Sequence, residues 1–288
     1  MKRSAALLLL LLTACASSQD GLAIRVDRIL AAHPQQTIAV AMLDLRDGST
    51  FARNEREVFH AASTMKVPVM LGVFEAITRG ELRLDQPVPV HNEFTSIFDG
   101  SRYSLESRED SDQSLYDSIG REVALEELVR RMIVRSSNLA TNLVIERLGA
   151  PRVMALMKQI GANDIQVLRG VEDDKAYHAG MNNTTTAHDL MLIFRTIAVG
   201  EAISREASST MTAILLAQEH NDGIPAGLPT GTRVAHKTGS ITAISHDAGI
   251  VYRPDGSAYV LVVLTRGFKD GDEAQRVIAD IARASYRP

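Results

Sequence analysis

Strand-like segments stand at both ends of this chain and helix-like segments fill its middle. A sheet can therefore be completed only if the C-terminal part packs beside the N-terminal part. At the front, 37–45 is an apolar run, Asp47-Gly48 supplies a hairpin turn, and 50–54 begins a return strand. At the back, 233–237, 248–253 and 258–265 are strand-like, the last two joined through Pro254-Asp255-Gly256. Between them, apolar residues recur at helical spacing over 64–79, 125–133, 138–148, 151–160, 186–199 and 208–216. Amphipathic helices over 22–32 and 272–286 complete the pattern. It predicts an α/β fold: an antiparallel sheet lobe from about 21–60 and 231–288, with an all-helical lobe inserted over about 61–230. A cleft between two such lobes is a favoured place for a ligand.

The first twenty residues read as an export signal and tether. Lys2 and Arg3 give a positive start, 5–12 is an apolar run too short to span a bilayer, and small residues follow. Leu12-Thr13-Ala14-Cys15 resembles a bacterial lipobox, in which the cysteine becomes the lipidated first residue; Ala14-Cys15-Ala16 is the alternative, an ordinary small-x-small cleavage site. Cys15 is the single cysteine, so the exported domain is expected to have no disulfide. The sequence thus predicts an exported, periplasmic protein held to the membrane by a lipid anchor.

A hydrophobic fraction of 45% and a charged fraction of 23% are those of an ordinary globule, and a net charge of −4 offers nothing to attract nucleic acid. A monomer acting on a small molecule is expected. The eight histidines show no metal-ligand spacing, so neither metal nor cofactor is expected. His236 alternates with Lys237 on a strand and should point away from the cleft.

Three short motifs fall where the cleft would run: Ser63-Thr64-Met65-Lys66, Ser136-Ser137-Asn138 and Lys237-Thr238-Gly239. Each alone has a plain reading. Ser63 and Ser136 could be helix caps, and Lys-Thr-Gly is often just a turn. Together they supply the parts of an acyl-transfer site. Lys66, three positions beyond Ser63, shares its helix face and can act as its base once burial lowers the lysine pKa. Ser136 can pass a proton to a leaving nitrogen, and the Asn138 amide can hold Lys66 and a substrate carbonyl. Lys237 and Thr238 would face a substrate carboxylate, Gly239 would allow close approach, and the backbone N–H groups of Ser63 and Ser240 could form an oxyanion hole.

This motif set, its order, and the Thr184-Thr185-Thr186 run before a helix resemble the class A β-lactamase family and related penicillin-recognising serine enzymes. The resemblance covers roughly 22–287. It implies a sheet lobe with a helical lobe, no metal, and a covalent acyl-serine intermediate. It also implies a glutamate that activates the deacylating water, and Glu172 lies in the matching stretch. Several residues depart from the family pattern. Ala176 stands where the family places an asparagine that helps to hold the water, Asn183 stands where an aspartate commonly pins the loop, and Ser137 replaces the aspartate of Ser-Asp-Asn. Family members often add an arginine near the carboxylate site, for which Arg266 and Arg276 are both candidates. The stretch 94–120, with Tyr103 and Tyr116, is longer than a compact member needs and should overhang one cleft wall.

The leading expectation is a serine β-lactamase. A D-alanyl-D-alanine peptidase would share the first half-reaction and deacylate β-lactams slowly. A non-catalytic cell-wall peptide-binding lipoprotein would have no need for both Ser63 and Lys66.

Overall fold

The computed structural model describes residues 21–286 of the 288-residue chain. The expectations for residues 1–20, Cys15 among them, lie outside the described residues. Helix α1, described over 21–31, leads into strands β1 (Thr37–Asp44), β2 (Thr50–Arg53) and β3 (Phe59–His60). Helices α2 (Lys66–Thr78), α3 (Leu125–Val134), α4 (Asn138–Leu148), α5 (Ala150–Ile160), α6 (Asp174–His178), α7 (Ala187–Ala198) and α8 (Arg205–Leu216) make up the middle. Short strands punctuate it. β4 (Pro87–Pro89) pairs with β7 (Glu122–Ala124), β5 (Phe94–Thr95) with β6 (Arg102–Tyr103), and β8 (Thr184–Thr185) with β3. The chain closes with β9 (Val234–Ile241), β10 (Ile244–Tyr252), β11 (Ala258–Arg266) and α9 (Gly271–Ser285).

Both chain ends build one antiparallel sheet, in the order β2-β1-β11-β10-β9. The period-2 alternation of side chains divides its residues between two cores. Ile38, Val40 and Met42 of β1, with Tyr259, Leu261 and Val263 of β11, pack under Leu22 and Val26 of α1 and Val277, Ile278 and Ile281 of α9. Their neighbours Ala39, Ala41, Val260, Val262 and Leu264 face the other way, towards Met65, Leu190 and Phe194 of the helical part. Small alanines on the inner side of β1 leave room for the large side chains of α7. No helix among the described residues is long and apolar enough to cross a membrane.

Several boundaries differ from the sequence pattern, for local reasons. β9 carries Lys237-Thr238-Gly239-Ser240 on to Ile241 as the expected strand on the cleft edge, and β10 begins at Ile244 rather than 248, because Ser245 and His246 pair with Ser240 and Gly239. Ala243, at a φ of +58°, then turns the chain tightly into β10. Helix α8 begins at Arg205 because Ser204 accepts a hydrogen bond from Ala207 N and caps it there. Ser63 is no cap: it lies inside a 3₁₀ turn, Ala62–Met65, that precedes α2.

Candidate active site

The 3₁₀ turn places Ser63 against the outer strand of the sheet. A Cβ built on Gly239 would stand 2.9 Å from the Ser63 amide nitrogen and 3.0 Å from that of Thr64, so no other residue at 239 lets β9 come this near. β9 is an edge strand, and backbone groups on its outer side are turned towards the cleft. Two adjoining cavities, each of about 350 Å³, share Ser63, Asn138 and Ser240. One is also lined by Ser136, Thr238, Glu109, Ser111 and His220, the other by Glu172, Arg169, Tyr177 and Ile241.

Lys66, in the first turn of α2, is wholly buried. Its Nζ donates to Ser136 O at 2.6 Å, Asn138 Oδ1 at 2.9 Å and Ser136 Oγ at 3.2 Å. Burial brings its pKa down to about 7, against the opposing pull of the negative charges on Asp110 and Glu172. Lys237 is buried as completely, and its Nζ donates to the same Ser136 Oγ at 3.0 Å. Burial, then the neighbouring Lys66 charge, holds the Lys237 amine well below the usual lysine range, while Asp247 acts the other way. The Ser136 hydroxyl thus sits between two amines whose pKa values are both depressed, an arrangement suited to proton relay.

Asn138 links the second motif to the loop that carries Glu172. Its Nδ2 donates to Glu172 Oε1 at 2.5 Å. Burial raises the Glu172 pKa most; Asp110 and Glu109 add to the rise, and the Asn138 hydrogen bond and the Lys66 charge oppose it. Ala62, Ser136 and Glu172 all have φ near +45° to +60° without being glycine. Each such residue costs about 1–3 kcal/mol, which the packing around a functional site must offset.

The loop before and after Glu172 is pinned from several sides. Asn142 accepts from Val171 N at 2.6 Å and donates to Val171 O at 3.0 Å, and a Cβ on Gly170 would collide with its Oδ1. Asn183, where an aspartate is common, accepts from Leu168 N and Arg169 N and donates to Arg169 O, so its amide closes the loop through the main chain. Asp173 accepts from Ser96 Oγ, Ile97 N and Ala176 N, tying the loop to the β5–β6 hairpin. Ala176 itself is fully buried and presents no polar side chain.

The expected residues Ser63, Lys66, Ser136, Asn138, Glu172, Lys237, Thr238, Gly239 and Ser240 are thus brought to one cleft. Neither candidate arginine lines the two cavities. Arg266 donates to Val58 O and Glu57 and lies over the Phe59 ring. Arg276 is largely exposed and pairs with Asp270. His236 turns away from the cleft onto Asp247, at 2.9 Å. The stretch 94–120 does overhang, through Glu109 and Ser111, whereas Tyr103 packs onto Asn142 and Tyr116 onto Asp110. The aromatic side chain in the cleft is Tyr177, which the sequence pattern did not single out. Among the described residues, no group of three or more His, Cys, Asp or Glu could hold a metal ion.

Comparison with known proteins agrees with this geometry. The family described as "Beta-lactamase enzyme family" matches residues 21–287. A β-lactamase of Bacillus amyloliquefaciens is 26% identical over 253 residues, covering 86% of this chain and 78% of that protein. A β-lactamase structure from Sphaerobacter thermophilus DSM 20745 superposes with a TM-score of 0.76 at 28% identity, covering 92% of this chain and 95% of that one. A mutant of PBP-A, solved as an acyl-enzyme complex with penicillin G, superposes with a TM-score of 0.77 at 26% identity, covering 92% and 94%. With the match spanning both halves of the sheet and the whole cleft, this chain belongs to the beta-lactamase enzyme family.

Proposed function

We propose that this chain is a serine β-lactamase that opens the β-lactam ring through an ester on Ser63. The observation that carries the reading is the pair of buried amines, Lys66 and Lys237, converging on Ser136 Oγ beside Ser63. Neutral Lys66 takes the Ser63 proton as Oγ bonds to the lactam carbonyl carbon. The backbone N–H groups of Ser63 and Ser240 stabilise the oxyanion, Ser136 delivers a proton to the departing ring nitrogen, and Lys237 with Thr238 holds the substrate carboxylate. Lys66 passes the proton it took from Ser63 on to Ser136. Glu172 then takes a proton from water, the hydroxide adds to the ester carbonyl, and the proton held by Glu172 is returned to Ser63 as its oxygen leaves. Export and lipid anchoring at Cys15 belong to the same proposal and rest on the lipobox-like run in the sequence.

A second reading, a D-alanyl-D-alanine peptidase, is favoured by one observation: Ala176 offers no side-chain amide to help Glu172 hold water. Multiple-turnover hydrolysis of a chromogenic cephalosporin by purified protein separates the two. Sustained turnover supports the β-lactamase, acylation that stops at one equivalent supports the peptidase, and absence of any acyl adduct overturns both.

A further inference from the structure

We propose that Asp110 is a positioning residue for this reaction, its buried carboxylate holding the Ser136-Ser137-Asn138 turn in place where position 137 has no acidic side chain. The carboxylate is 3% exposed and sits at the N-terminus of α4. Both of its oxygens lie 3.0 Å from Asn138 N, and Oδ2 accepts from Leu139 N at 2.8 Å. These are among the first N–H groups of a helix, which have no partner within it, and the helix dipole favours a negative charge there. Ser137 does not serve them: its hydroxyl accepts from Ala140 N, the next residue along the same first turn. Tyr116 OH donates to Asp110 Oδ2 at 3.2 Å, and Asp112 N donates to Oδ1 at 3.0 Å.

The segment that delivers Asp110 is clamped separately. Asp112 is paired with Arg131 at 2.8 Å and with Arg135 at 3.5 Å, both close to the end of α3. The backbone of Asn138 is therefore fixed from a segment 28 residues upstream, and its side chain is left to join Lys66 to Glu172. Lys66 is also faced by Lys237 across Ser136, and Glu172 by Glu109. Within this set, the charge of Asp110 favours the protonated forms of both Lys66 and Glu172. Position and charge act separately: Asp110 aims the amide, while its charge raises the pH above which Lys66 is neutral.

The inference rests on the acyl-transfer reading above, and its test does not depend on turnover. Lys66 is followed by NMR of ¹³Cε-labelled lysine across pH in the wild type, Asp110→Asn and Asp112→Asn, alongside penicillin acylation rates. Asp110→Asn should titrate Lys66 at lower pH than the wild type and acylate about 10- to 100-fold more slowly, the scale of a small misplacement of catalytic groups. Asp112→Asn should lower thermal stability with the Lys66 midpoint unmoved. Asp110→Glu, which keeps the charge and is the fallback should the asparagine variant not fold, should hold the midpoint nearer the wild type yet still acylate slowly. An unshifted Lys66 midpoint in Asp110→Asn, or wild-type acylation in Asp110→Glu, overturns the proposal. A wild type that never acylates refutes the acyl-transfer reading instead, and leaves the titration to decide Asp110.

Discussion

Asn138 and Glu172 are joined at 2.5 Å, the amide donating to the carboxylate while its oxygen accepts from Lys66. One side chain therefore touches the group proposed to begin the reaction and the group proposed to end it. The consequence is electrostatic as well as geometric. Lys66 and Glu172 each feel the other's charge, which raises the lysine pKa and lowers that of the glutamate, while burial drives both in the opposite sense.

Acylation should lose rate as pH falls through about 7, the value to which burial brings Lys66, because only the neutral amine can take the Ser63 proton. The folded pKa lies below that of the unfolded chain, so between these values the unfolded state binds more protons. The Lys66 contribution to stability should accordingly rise with pH above about 7. Stopped-flow acylation by a penicillin as a function of pH checks the kinetic half. A rate independent of pH through this range would remove Lys66 as the base.

Brief incubation with a penicillin should leave a drug-sized adduct on the wild type and none on Ser63→Ala. Intact-mass analysis followed by peptide mapping reads it. An adduct mapped to Ser136, whose hydroxyl lies between the two lysines, would reassign the nucleophile.

On the proposed lipid anchoring, Cys15→Ser should shift the protein from the membrane fraction to the soluble fraction, since lipidation at a lipobox requires the thiol. Fractionation with an immunoblot measures this. A wild-type protein already soluble, with its N-terminus at Ser17, would favour ordinary cleavage after Ala16.

The motif residues were legible because each motif is local: a nucleophile and base three apart, a serine at a helix head, a Lys-Thr-Gly on a strand. The sheet was legible for a similar reason, since the strand-like runs at the two chain ends, 37–45 and 258–265, find sheet partners by lying side by side. Asp110 was not legible, because what makes it matter is an acceptor-poor helix end 28 residues away, and a turn-rich segment carries no periodicity to reveal that. Asp173 was no more legible as an anchor of the Glu172 loop, because its partners Ser96 and Ile97 lie on a hairpin brought there by folding. Arg266 and Arg276 show the converse. Their positions in sequence suggested a carboxylate site, and their neighbours Glu57 and Asp270 hold them elsewhere.

Asp173→Ala should loosen the Glu172 loop. It strips an acceptor from Ser96 Oγ, Ile97 N and Ala176 N, and buried donors left without a partner cost about 1–3 kcal/mol. The exposed pair Lys175 and Asp99 spans the same two segments and, being solvated, should compensate little. Thermal unfolding should shift downward, and deacylation should slow more than acylation because Ser63 and Lys66 lie on other elements. A variant with unchanged unfolding temperature would show that the hairpin does not hold the loop.

Glu172→Gln is the sharpest test of the proposed second half-reaction. Glutamine keeps the length and shape of the side chain, and its carbonyl oxygen can still accept from Asn138 Nδ2, so the strained backbone at this residue need not change. What it loses is the ability to take a proton from water. Acylation at Ser63 should therefore proceed while the acyl-enzyme accumulates, with turnover falling by about 10²- to 10⁴-fold, the size of a general-base contribution. The buried environment that raises the Glu172 pKa also predicts that wild-type deacylation fails at low pH, as the carboxylate protonates and becomes the functional equal of the amide. Quench-flow mass spectrometry measures both steps on the same sample. Because Ala176 supplies no amide beside Glu172, unchanged turnover in Glu172→Gln would mean that another group positions the water, and would move the assignment off this residue.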